Sequence, residues 1–113
     1  MEFLNKIEVK GIVGRIDVKE VADSTCANFA VATDFCYKSR EGQAIIDTTW
    51  FNVVAWKGEN HGKKIVEFDK IHKGSAVHVI GRVRSRSYEG ADGNVCRFYE
   101  IVASSVELLP DEN

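Results

Sequence analysis

No stretch of this chain holds the roughly 18 to 20 consecutive apolar residues that a membrane-spanning helix needs. A membrane is therefore not an expected partner. The first residues, MEFLNKIEVKG, mix acids with bases and lack the apolar core of a secretory signal, which leaves the cytoplasm as the expected location. Proline occurs once and glycine nine times in 113 residues, too little of either for a collagen-like or low-complexity chain. Cysteine is scarce and odd in number. Cys26, Cys36 and Cys96 form no C-x-x-C pair, so neither a disulfide framework nor a zinc ribbon is expected, and the thiols read as reduced and semi-buried. His61, His72 and His78 show no H-x-x-x-H spacing, so no metal site is expected, and nothing calls for a cofactor. G-x-S-x-G and the phosphate-binding G-x-x-x-x-G-K-[ST] are both missing. Asp34 and Asp47 belong to no paired motif, and nothing here recruits an enzyme.

What is present begins with charge. A net charge of −2 conceals a segregated distribution. Residues 1–53 carry six bases and eight acids, residues 54–88 eight bases and three acids, and residues 89–113 one base and six acids. A local field matters more to a polyanion than the total does. The cationic block closes on RVRSRSYEG (82–90), where Arg82, Arg84, Arg86 and Tyr88 recur at every second position. In a strand all four project from one face, and no carboxylate of the run shares that face with the arginines.

The hydrophobic pattern describes one domain. KIEVKGIVGRIDV (6–18) reads as a strand with a bulge or bend at a glycine, Gly11 or Gly14. CANFAVATDF (26–35) reads as a second strand, YKSREGQ (37–43) as a hairpin loop and AIIDTTWFNVVAW (44–56) as a long third strand. The period then changes. Ile65, Phe68 and Ile71 lie three apart, which predicts one short amphipathic helix within 58–75, with Lys70 and Lys73 in its last turn and Gly74 as its cap. AVHVIGRVRSRSY (76–88) is a fourth strand bent at Gly81, EGADGN (89–94) a turn, and VCRFYEIVASSVELL (95–109) a fifth strand. The expected fold is all-β: a five-stranded oligonucleotide/oligosaccharide-binding (OB) barrel with one short helix between strands three and four. Residues 1–109 form the domain and residues 110–113 a short tail.

The third strand places Trp50, Asn52, Val54 and Trp56 on one face and Phe51, Val53 and Ala55 on the other. The second set suits a barrel interior, which leaves both tryptophans pointing outward. Stacking of nucleic-acid bases is one use for them, worth ~1–3 kcal/mol per base and tolerant of sequence. A subunit interface or core packing is the other. Arginines that bind phosphate bidentately, ending at Tyr88 in a hairpin, repeat the combination. So do Tyr37, Lys38 and Arg40 in the loop before the third strand.

These residues resemble those of bacterial single-stranded DNA-binding proteins. The likeness runs from Asn5 to Leu109 through NKIEVKGIVGRI, NFAVAT, TTWFNVVAW, KGSAVHVIGRVRSRSYEGADG and FYEIV. The most specific part is the run of Lys73, Gly74, Ser75, Val77, Gly81, Arg84, Arg86 and Tyr88. The resemblance implies stacking on Tyr37 and Tyr88, where the family often has Trp, on Trp50, and on Trp56, where it often has Phe. Phosphates would meet Lys38, Arg40, Lys57, Lys73, Arg82, Arg84 and Arg86. It implies a protein without catalytic activity that binds and protects single-stranded DNA in replication, recombination and repair, in the cytoplasm and associated with the nucleoid. It also implies a homotetramer, with a dimer as the alternative and Phe51 or Ile7 as interface candidates. Family members commonly continue into a flexible tail with an acidic tip that docks replication and repair proteins. This sequence ends at Pro110-Asp111-Glu112-Asn113, so such partners are expected only of a longer form that carries the tip. The rival reading is an OB barrel that binds RNA or serves as a primosomal or protein-docking module, because fold does not decide function.

Overall fold

The computed structural model describes residues 1–58 and 64–110. Long β-branched runs form the strands β1 (Ile7–Val21), β2 (Ser24–Lys38) and β3 (Ala44–Lys57), a two-residue β4 (Lys64–Ile65), then β5 (Ala76–Glu89) and β6 (Val95–Leu108). They hydrogen-bond in the order β3-β2-β1-β5-β6-β4. Parallel pairing of Val53 with Ile101 and Val54 with Val102 joins β3 to β6 and closes the five long strands into a barrel. Closure removes the open edges that invite aggregation.

Alternation decides what the barrel encloses. Val9, Val13, Phe29, Val31, Val53, Ala55, Val77, Val79, Ile101 and Val106 all point inward and are buried together. Each fully buried side chain of this size contributes about 1.5–3 kcal/mol. β1 bends at a glycine as the sequence implies. Val13 faces Val31 and Arg15 faces Ala30, so Gly14 is the extra residue of a bulge. The β5–β6 ladder is irregular beside Gly81: Ile80 faces Ser105 and Gly81 faces Ala103, so the extra residue is Ser104 of β6 rather than one of β5.

The helix is the exception. Part of its expected span, residues 59–63, lies outside the described residues. Among the described residues, Lys64 and Ile65 instead pair as β4 with Ser105 and Val106, and only Phe68–Lys70 winds into a single 3-10 turn. A spacing of three is the 3-10 period, not the α-helical one. The apolar triad behaves as expected all the same, since Ile65, Phe68 and Ile71 are buried in the barrel core. Gly74, expected as a helix cap, takes φ +94° to turn the chain into β5. Its N–H donates to the Val13 carbonyl at 2.8 Å.

Two hairpins run on past the core. β2 and β3 stay paired out to Lys38 and Ala44, and β5 and β6 out to Glu89 and Val95. The radius of gyration is 16.4 Å, against about 13 Å for a compact chain of this length. Asn5 braces the point where β5 leaves β1. Its side-chain amide donates to the Val83 carbonyl at 2.7 Å and accepts from the Val83 N–H at 2.9 Å.

Candidate nucleic-acid interface

Small residues make room for the first element of the site. Trp50 pairs with Ala32 and its neighbour Asn52 with Ala30. Gly14 sits beneath the indole, where a Cβ would lie 2.6 Å from Trp50 Cη2. The bulge, the glycine and the two alanines therefore let the ring lie down on the sheet. It is still 59% exposed. A large aromatic surface held flat and bare is a stacking platform.

Arg15 and Asn52 border this ledge and also line the groove beside it. The groove has a volume of about 380 Å³, and Arg15, Asp17, Asn28, Asn52, Arg86, Phe98 and Glu100 contribute to its walls. Arg15 Nη2 donates to Asn52 Oδ1 at 3.5 Å. Glu100 is only 5% exposed. Arg84 donates to its Oε1 from Nε at 3.0 Å and from Nη2 at 2.6 Å, and Arg86 Nη1 donates to the same oxygen at 3.4 Å. An unpaired carboxylate buried this deeply would cost several kcal/mol, so the arginines are what allow it there. The Arg86 guanidinium also lies 5.9 Å from the centre of the Phe98 ring, and Tyr88 stands 5.9 Å from the same ring at 59°. One continuous path thus runs from Trp50 past Arg15 and Asn52 to Arg86, Phe98 and Tyr88.

The structure separates the predicted residues into three groups. Trp50, Arg82, Arg84, Arg86 and Tyr88 share the outward face, and Tyr88 is 56% exposed. Tyr37 is exposed, but it falls on the opposite face of its hairpin from Trp50, with its ring 6.1 Å from Phe35. Lys38 and Arg40 are exposed near that hairpin's turn, and Lys73 is exposed in the turn bonded to Val13. Trp56 and Lys57 lie at the far end of β3, and both are half-buried. Lys57 Nζ donates to Glu67 Oε1 at 2.7 Å and sits 5.7 Å from the Phe68 ring centre. That hydrogen bond, with the lysine's charge, holds the Glu67 carboxyl below its ordinary range. The arginine stripe is not without acids, because β6 supplies Glu100 to Arg84 and Arg86. Lys57 already has a carboxylate partner. Ile7 and Phe51 are half-buried against the core, and Cys36 and Cys96 are exposed while Cys26 is buried. Burial pushes the Cys26 thiol above its ordinary value.

Arg15, Phe98 and Glu100 escape a reading of the sequence alone, and Gly14 shows there only as a candidate bulge, not as the seat of Trp50. One signal was available: Cys96, Phe98 and Glu100 alternate within a strand, so a charged residue there needs a partner on its own face. Which strand supplies the arginine is a matter of register, fixed only in three dimensions.

A second polar cluster sits lower on the same outward side of β5. His78 bonds through Nδ1 to Glu107 Oε1 at 2.8 Å and through Nε2 to Glu8 Oε2 at 2.6 Å. These hydrogen bonds raise the imidazole above its ordinary value of 6.5. Among the described residues no group of three or more His, Cys, Asp or Glu side chains is placed to hold a metal ion. No helix among them is long and apolar enough to cross a membrane.

A closed five-stranded OB barrel, with a flat-lying tryptophan and a cation-lined groove on its outer wall, defines a protein of the OB-fold class. The chain belongs to the single-strand binding protein family, whose model matches residues 4–109. It is 32% identical over 115 residues to a single-stranded DNA-binding protein of Neisseria meningitidis, covering 97% of this chain and 62% of that one. It is 36% identical over 101 residues to single-stranded DNA-binding protein 3 of Listeria innocua, covering 87% and 61%. The chain therefore spans less than two thirds of either relative. Its fold is similar to that of the Plasmodium falciparum SSB in a complex with ssDNA, with a TM-score of 0.74 at 23% identity, covering 97% of this chain and 98% of that one.

Proposed function

We propose that this chain binds single-stranded DNA with little regard to sequence and performs no chemistry on it. The observation that carries the reading is Trp50, laid on Gly14 and bare to solvent at the head of an arginine-bordered groove. Bases stack on Trp50 and Tyr88, with Tyr37 taking a further base where the strand passes the β2–β3 hairpin and Trp56 a marginal one. Phosphates meet Lys38, Arg40, Lys73, Arg82 and Arg86. Arg84 and Lys57 hold carboxylates first and add field strength second. Residues 1–109 form the binding domain. The role is protection of single strands during replication, recombination and repair in the cytoplasm.

Assembly into a homotetramer, or at least a dimer, is part of the proposal. Ile12, Val18 and Val21 leave apolar surface on β1 that an interface would cover. Titration with oligo-dT, followed by tryptophan fluorescence at two salt concentrations, tests the binding. Strong quenching is expected, with affinity falling by a log–log slope of about −0.7 for each phosphate contact. Unaltered emission, or tighter binding to an oligo-A RNA, would count against it. The mass in solution tests the assembly.

A further inference from the structure

The path for the strand contains two groups that do not suit a polyanion. Asp17 and Glu100 both line the groove between the Trp50 ledge and Tyr88. Arg15, Lys19 and Arg86 line the groove as well, so phosphate is not kept from all of it; at its Glu100 end, where a carboxylate repels phosphate at short range, a base fits better than the backbone. An aromatic ring, Phe98, lines it too, with the Arg86 guanidinium over the ring at 5.9 Å from its centre, so a base entering here stacks on what that guanidinium leaves open. A volume of about 380 Å³ falls in the range of roughly 300–1,000 Å³ in which small ligands are held. All three guanidinium contacts to Glu100 fall on Oε1, which leaves Oε2 to accept from whatever enters.

We infer that this groove is a pocket for one base, with Phe98 as its stacking surface and Glu100 as the reader of its edge, and that it favours guanine. The inference rests on the single-stranded DNA reading above and adds a preference to it. An ionised carboxylate only accepts hydrogen bonds. Thymine offers one N–H between two carbonyls, so its edge meets Glu100 mostly with like charge. Cytosine offers one amino group beside an acceptor nitrogen. Guanine alone presents an N1–H and an N2 amino group side by side, and its O6 then turns toward the donors of Arg86, Arg15 or Asn52. The protein thus binds any strand through Trp50 and Tyr88 and rewards a guanine that reaches the groove.

The test compares three oligonucleotides of equal length, in lithium buffer to prevent guanine tetrads: all-thymidine, alternating dT-dG, and alternating dT-dI. Inosine lacks only the N2 amino group. With Oε2 alone free, N1–H and the N2 amino group fork onto one oxygen, and the wild-type protein is expected to bind dT-dG about two- to tenfold tighter than dT-dI, the span of one net hydrogen bond. Glu100→Gln should bring the two to near equality, because an amide presents a donor where the carboxylate accepts. Equal wild-type affinity for dT-dG and dT-dI, with all-thymidine still bound, overturns the base pocket and leaves the wider reading standing. A preference that survives Glu100→Gln overturns the assignment to that residue. Failure to bind any of the three sinks both. The wild-type comparison requires no variant to fold.

Discussion

Phe29 and Phe35 lie six residues apart on β2 and have opposite fates. Phe29 is 2% exposed in the barrel, and Phe35 is 68% exposed on the hairpin that extends from it. The strand, the pairing partner and the residue type are the same. What changes is whether a second wall faces the side chain. In the barrel half β3 meets β6 and the odd-numbered residues of β2 enter a sealed core. Beyond that seam the ribbon has no opposing wall, and Phe35, Tyr37, Ile46, Tyr88 and Tyr99 stay bare. Apolar residues kept on both faces of an unsupported ribbon contribute little to folding. Their use lies in contact with something else.

The largest test of this division is a pair of truncations. Phe29→Ala should lower unfolding free energy by about 3–5 kcal/mol in a denaturant titration, while Phe35→Ala should stay within about 0.5 kcal/mol of wild type. Similar losses at both sites would mean that the hairpin is packed in solution. Trp50, at the border of the two regions, should behave like a hairpin residue. Trp50→Ala is expected to cost ~1–3 kcal/mol of oligo-dT affinity, and Lys57→Ala well under 1 kcal/mol, because its charge is already shared with Glu67.

Arg84 tests the converse, a hairpin-side cation with a structural task. Arg84→Ala should cost about 1–3 kcal/mol of stability, because Glu100 loses its main partner. Lys38→Ala should leave stability alone and reduce the salt slope by about 0.7. An unstable Lys38 variant, or a stable Arg84 variant with a flatter slope, would exchange their roles. The smallest effect is a pH dependence from the barrel half. His78, the register partner of Lys10 on β1, titrates above 6.5 because its hydrogen bonds to Glu107 and Glu8 favour the charged form, against its partial burial. Its stabilisation is complete below pH 6.5 and fades as pH rises past the raised value. The melting temperature of the wild type should therefore fall between pH 6 and 8 slightly more than that of His78→Gln. Parallel curves would show that the clamp adds nothing.

Much of this was legible from residue order. β-branched alternation marks all five long strands, a glycine left open between Gly11 and Gly14 marks the bulge in β1, and the odd residues of β3 mark the interior wall, while the bulge beside Gly81 falls on β6 at Ser104. The helix was not legible, because Ile65, Phe68 and Ile71 need burial three residues apart and an extended segment with one 3-10 turn supplies it as well as an α-helix does. Glu100 was not legible as a partner of Arg84, since they lie 16 residues apart and only the β5–β6 register makes them neighbours.

The sequence by itself determined the strands, the inward set of each and the cationic stripe with its tyrosine, because alternation and charge are local properties of a chain. Only the tertiary structure decided that Trp50 rests on Gly14, that Tyr37 faces away from it, that Lys57 is already paired, and that Glu100 stands in the groove. Each depends on how separate strands are registered and where the sheet closes, and residue order holds no local record of either.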